Sequence, residues 1–129
     1  QLASRKLAGR IGEMIDTAPM IHVHGLKTRS EAEIGNRLGG LFDAILSVEQ
    51  VGVFKPHHRV YDLVEKTFGC SRQEVLFVSS NGWDACCAAA YGFRTLWVNR
   101  RQEPVDRLPV RPNFVAESLV GLPRVIENL

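Results

Sequence analysis

Residues 79–84 read SSNGWD and follow directly on the apolar run Val75-Leu76-Phe77-Val78. Two hydroxyls (Ser79, Ser80), an amide (Asn81) and a carboxylate (Asp84) are thus gathered where a buried segment ends, with Trp83 among them. Upstream, Lys55-Pro56 stands between the apolar stretch VGVF and a helical pattern. A lysine so placed supplies a compact positive charge for a carboxylate or a phosphate. Hydroxyl and amide groups add the hydrogen bonds that orient it. Proline fixes the backbone there and suits the first turn of a helix. Each residue alone has a plain structural reading. An Asp at a helix start is a favourable partner of the helix dipole, and a lysine ahead of a helix is commonly a surface residue. The combination after a buried strand argues for a site.

A second pattern is His22-Val23-His24. In a strand, positions i and i+2 face one side, so two imidazoles could share a metal ion, with His57 and His58 as further ligands. No Cys-rich or acidic cluster accompanies them, and the plainer reading is two polar residues at a strand end. Cys70, Cys86 and Cys87 are odd in number and form no C-x-x-C, which reads as reduced thiols in a cytoplasmic protein. Cys86 and Cys87 lie in DACCAAA, where small residues suit close helix packing.

These residues need elements to position them. Phe42–Val48 is apolar enough for a strand. Val60, Leu63, Val64 and Phe68 recur at helical spacing and predict a helix over about 57–68, ended by Gly69. EVLFVSS reads as a buried strand, GWDACCAAAY as a helix closed by Gly92, and RTLWV as a strand. A polar, Pro-containing loop leads to a short strand in NFVAES. A last helix spans Ser118–Leu129, with Leu119, Leu122 and Val125 on one face. In the first part of the chain, Leu2–Ile15 predicts a helix, MIHVHG a strand ending at Gly25, and LKTRSEAEIGNRLGG a helix. Strands alternating with helices imply βαβ units and a parallel sheet covered on both faces, an α/β fold. Ligands in such sheets bind beyond the carboxyl ends of the strands, where SSNGWD falls. Gly82 there lets the chain turn into its helix.

The chain has 129 residues, which suits one domain, and a formal charge of +2. That balance gives no argument for nucleic acid, and Arg5-Lys6 and Arg100-Arg101 read as solvated surface. No apolar run approaches the roughly 20 residues that cross a bilayer, and the first residues have no signal-peptide core.

The stretches FDAILSVEQVGVFKPHHRVYDLVEKTFG and EVLFVSSNGWDACCAAAYGFRTLWVNR resemble the C-terminal half of type II 2-haloacid dehalogenases. These are Rossmann-like hydrolases of the haloacid dehalogenase superfamily. The resemblance covers residues from about 41 to 129. Its implication is metal-independent and cofactor-free chemistry on short 2-haloalkanoic acids such as 2-chloropropionate. An aspartate displaces halide with inversion, and water hydrolyses the resulting ester to a 2-hydroxy acid. By the resemblance, Lys55 pairs with the nucleophile and Tyr61 lines the site. Ser79 and Asn81 position nucleophile or substrate, Asp84 helps activate water, and Trp83 forms an apolar wall facing the halogen. The family's nucleophile stretch, similar to FDAYGT, does not occur in these residues. Where the family has LSNG, this chain has Val23, His24 and Gly25, which puts His24 in a substrate-binding position.

The resemblance therefore implies a single partial core domain over 1–129, with a poorly matching segment over 1–40. It lacks the first strand and most of the cap, and is best read as a truncated product that is inactive by itself. A missing central strand would leave unpaired edges and favour self-association or a homodimer. No nucleic-acid or membrane partner is expected. Two other readings are a receiver-like signalling module, for which Lys-Pro falls too early and no acidic pair follows the first strand, and a vestigial interaction module. A phosphatase of the same superfamily would need magnesium-binding acids that SSNGWD replaces.

Overall fold

Apolar side chains at helical spacing and a residue free to adopt left-handed φ define the first helix among the described residues. α1 (His58–Phe68) buries Val60, Tyr61, Leu63 and Val64 on one stripe. His57 opens it, its Nδ1 accepting the N–H of Arg59 at 3.2 Å. Gly69 closes it at φ 62°, where a residue without Cβ is strongly favoured. The computed structural model describes residues 20–22 and 42–129. Among these the strands are β1 (Met20–His22), β2 (Val75–Ser79), β3 (Arg94–Val98) and β4 (Phe114–Ala116). The other helices are α2 (Gly82–Tyr91) and α3 (Leu122–Glu127).

The four strands form one parallel sheet in the order β1-β2-β3-β4. Because side chains alternate along a strand, β2 feeds two cores. Val75 and Phe77 meet Tyr61, Leu63 and Val64 of α1, Ala88 of α2, and Phe93. Leu76 faces the other way, with Leu96 and Val98 of β3 and with Leu122, Val125 and Ile126 of α3. Helices therefore cover both faces, and the expected α/β architecture with a parallel sheet is what the chain adopts. Among the described residues, no helix is long and apolar enough to cross a membrane.

Four expectations are corrected. Phe42–Val48 is not a strand. It offers the sheet no paired register, and Ser47 instead accepts the N–H of Glu49 at 3.3 Å and opens a short 3-10 turn, Val48–Gln50. The final helix is shorter than predicted. Ser118 caps a 3-10 turn over Leu119–Gly121, Pro123 lies in the first turn of α3, and Leu119 is exposed instead of sharing the face of Leu122 and Val125. Pro56 does not enter the first turn of α1, since the extended His57 intervenes; the Lys55-Pro56 peptide is cis. Finally, β2 has no open edge. β1 lies on it with Met20 opposite Val75 and His22 opposite Phe77. Val23, His24, Gly25 and the helices expected over 2–15 and 26–40 lie outside the described residues.

Candidate active site

β2 ends at Ser79, Asn81 occupies the extended cap position, and α2 starts at Gly82. This strand–turn–helix junction sets Asp84 in the first turn of α2, 4% exposed, at the carboxyl edge of the sheet. Three donors converge on its carboxylate. Lys55 Nζ lies 2.7 Å from Oδ2, Ser79 Oγ donates to Oδ2 at 3.0 Å, and Tyr61 OH donates to Oδ1 at 3.1 Å. The partners come from the loop before α1, from α1 itself and from the end of β2. Ser79 Oγ also accepts the backbone N–H of Asn81 at 3.1 Å, which ties the turn to the network.

Burial of ionisable groups is tolerated only when they are paired and hydrogen-bonded. Lys55 and Asp84 meet that condition, with side chains 10% and 5% exposed. Desolvation holds the Lys55 ammonium below the ordinary lysine value, and the charge and hydrogen bond of Asp84 work against that shift. The ammonium also lies 4.9 Å from the centre of the Phe77 ring, a cation–π contact. Tyr61 is pushed well above the ordinary phenol value, first by burial and then by the Asp84 carboxylate it faces. The site thus offers one lysine with spare donors, one neutral phenol and one dry carboxylate. Burial also pushes the thiols of Cys70, Cys86 and Cys87 up, so none is a ready nucleophile at neutral pH.

Of the residues singled out from the sequence, Lys55, Tyr61, Ser79 and Asp84 come together. Asn81 reaches the cluster through its backbone N–H, and its side chain makes no cap bond. Trp83 is 42% exposed at the start of α2. His24 lies outside the described residues. His57 serves as the cap of α1, stacked on His58 at 4.5 Å between ring centres. Among the described residues, no three His, Cys, Asp or Glu side chains are grouped so as to hold a metal ion. Two contributors were missed. Phe77 lies under Lys55, and its place on the α1 side of β2 follows from strand alternation. Trp97 donates Nε1–H to the Ser80 carbonyl at 3.3 Å, a contact with no local sequence signal.

The parallel α/β core has counterparts among known proteins. The family model described as haloacid dehalogenase-like hydrolase matches residues 28–98. The chain belongs to that family. It is 44% identical over 87 residues to an (S)-2-haloacid dehalogenase of Pseudomonas putida, a match covering 67% of this chain and 38% of that enzyme. A crystal structure of an L-2-haloacid dehalogenase superposes with a TM-score of 0.80 at 30% identity, covering 98% of this chain and 54% of the other. Another, the Xanthobacter autotrophicus enzyme with chloropropionic acid covalently bound, gives 0.74 at 32% identity, over 81% and 53%. The chain thus spans under two fifths of the Pseudomonas enzyme and about half of each solved structure.

Proposed function

We propose that this chain forms the lysine-bearing part of a site that hydrolyses short 2-haloalkanoic acids to 2-hydroxy acids with release of halide. The observation that carries the reading is the convergence of Lys55, Tyr61 and Ser79 on Asp84 at the carboxyl end of β2. Similarity to (S)-2-haloacid dehalogenases over that same region supports it.

In this reading, an aspartate carboxylate attacks Cα of the substrate, the carbon–halogen bond breaks, and halide leaves with both bonding electrons. Water then attacks the ester carbonyl, restores the carboxylate and frees the 2-hydroxy acid in inverted configuration. Lys55 has donors beyond the one given to Asp84 and holds the nucleophile ionised. Asp84 takes a proton from the attacking water, with Ser79 and Tyr61 fixing its orientation. Asn81 contacts substrate, and Trp83 supplies an apolar surface for the halogen. His24 stands in a substrate-contacting position by the same resemblance. The reaction uses no metal or organic cofactor. The nucleophile segment of the family is not among these 129 residues, so the chain alone does not turn over.

The test is halide release from 2-chloropropionate, by the chain and by a chimera that joins it to the N-terminal part of the Pseudomonas relative. The chain alone is expected to release none. The chimera is expected to release halide, and Lys55→Ala to lower its rate by about 10²–10³-fold, as loss of a charge-stabilising donor does. A folded chimera without activity would favour a vestigial interaction role. Release by the chain alone that Lys55→Ala abolishes would mean that one of its own acids acts as nucleophile.

A further inference from the structure

The carboxyl ends of β2 and β3 frame an open groove of about 290 Å³, and Ser80, Asn81, Asn99, Arg100, Arg101 and Glu103 line it. Its floor is fixed from both sides. Trp97 Nε1–H bonds the Ser80 carbonyl on one wall. On the other, the Asn99 side chain grips Glu103 twice, accepting its N–H at 2.9 Å and donating to its carbonyl at 2.8 Å. The Asn99 backbone N–H reaches the Ala116 carbonyl at 2.7 Å, and Gln102 turns the chain at φ 53°. Arg100 and Arg101 therefore ride a closed, anchored turn.

The charges in the groove are unequally spent. Arg101 lies 3.8 Å from Glu103 with both ends well exposed, a weak pairing that offsets part of its charge. Arg100 has no ion pair or side-chain hydrogen bond among the described residues, and the Asn81 side chain makes no cap bond. One guanidinium and one amide are left with donors to offer. A guanidinium presents two parallel N–H groups to a carboxylate. The net single charge suits a monoanion, and Glu103 disfavours a dianion such as phosphate. The volume admits a small molecule and not a folded partner.

We propose that this groove is a binding site for a small monocarboxylate, with Arg100 taking the carboxylate and the Asn81 amide as second donor. It adjoins the Asp84 network, since Ser79 and Ser80 are consecutive and Asn81 donates to Ser79. A carboxylate held there is concentrated at the mouth of the site, as a cationic rim does for an anionic substrate. The identity of the carboxylate as a 2-substituted short acid rests on the proposed function; the groove itself does not.

The experiment is an amide NMR titration of the complete 129-residue chain with L-lactate, a 2-hydroxy acid that requires no turnover, and with neutral lactamide. Lactate is expected to shift the amides of Ser80, Asn81 and residues 99–103, and lactamide to leave them in place. Arg100→Gln should raise the lactate Kd about fivefold, the upper range for an exposed charge pair. Arg124→Gln, which removes the same charge from exposed α3, should leave it unchanged. Equal shifts with lactate and lactamide, shifts elsewhere, or equal effects of the two arginine variants would overturn the proposal. Lactate binding in a chain whose chimera releases no halide would keep this site and sink the proposed reaction, and the converse would do the reverse.

Discussion

Asp84 and the two tyrosines of the chain share a physical situation with a measurable consequence. Tyr61 faces Asp84, and the Tyr91 hydroxyl lies 2.5 Å from both Asp62 Oδ1 and Glu65 Oε2, with the Arg72 guanidinium 3.9 Å from the centre of its ring. For both phenols burial comes first and facing carboxylates second, and both causes hold the proton on. A raised folded pKa gives stability that is fully present below the ordinary phenol value of 10.0 and is lost as pH climbs toward the folded value. Lys55 runs the other way. Its lowered folded pKa burdens the folded state at neutral pH, and that burden lifts as pH rises toward 10.5. Absorbance of phenolate separates the tyrosines from the lysine. The folded chain should show almost no phenolate at about pH 11, whereas both tyrosines titrate near pH 10 in urea. Ordinary titration in the folded chain would refute the assignment. At neutral pH, Tyr61→Phe removes a hydrogen bond to a buried carboxylate and should cost about 1.5–3 kcal/mol in urea unfolding. Above pH 10 the same variant should lose stability less steeply than its parent.

The element that matters most is the junction of β2 and α2, and Gly82 is its tightest point. A Cβ there would come within 2.8 Å of Asp106 Oδ2 and 3.1 Å of the Trp97 ring. Asp106 can swing away. Trp97 is fully buried and bonded to Ser80, so it cannot. Gly82→Ala should therefore cost about 1–3 kcal/mol by overpacking, read as a lower urea midpoint with the slope unchanged. An unchanged midpoint would show that the contact relaxes freely. The sequence reading assigned this glycine to the sharpness of the turn; its backbone is not left-handed, and close approach of the tryptophan is the reason. Other parts of the junction were legible because they are local. VLFV is apolar throughout, as a strand covered on both faces must be, and α1 carries both its stripe and its Gly69 stop. FDAILSV misled because a short apolar run without period 2 fits several backbones. Lys55 and Tyr61 lie 29 and 23 residues from Asp84, so no spacing rule joins them; the family resemblance did. The groove at Arg100 was invisible for the same reason, since its two walls belong to different strands.

On the scale of the whole molecule, the question is how it meets other copies of itself. The sequence led to an expectation of self-association through an unpaired edge of β2, and β1 occupies that edge. A different edge gives a reason to test self-association. β4 is the last strand in the order among the described residues and has only three residues, with Val115 facing solvent. Just beyond it, Leu119 and Val120 are exposed, Val120 at 88%. An exposed edge flanked by apolar side chains is a template for pairing with another chain, and a charge on it is the usual remedy. Phe54 adds an exposed ring at 79%, directly before Lys55. Light scattering behind size exclusion should show dimers or larger species that dissociate on dilution. If the β4 edge is responsible, Val115→Lys should shift the distribution to monomer while Phe54→Lys leaves it in place. The reverse pattern would move the contact to the rim of the candidate site, where a second copy would also shape access to Lys55. A chain that stays monomeric across the concentration range would end the self-association reading altogether.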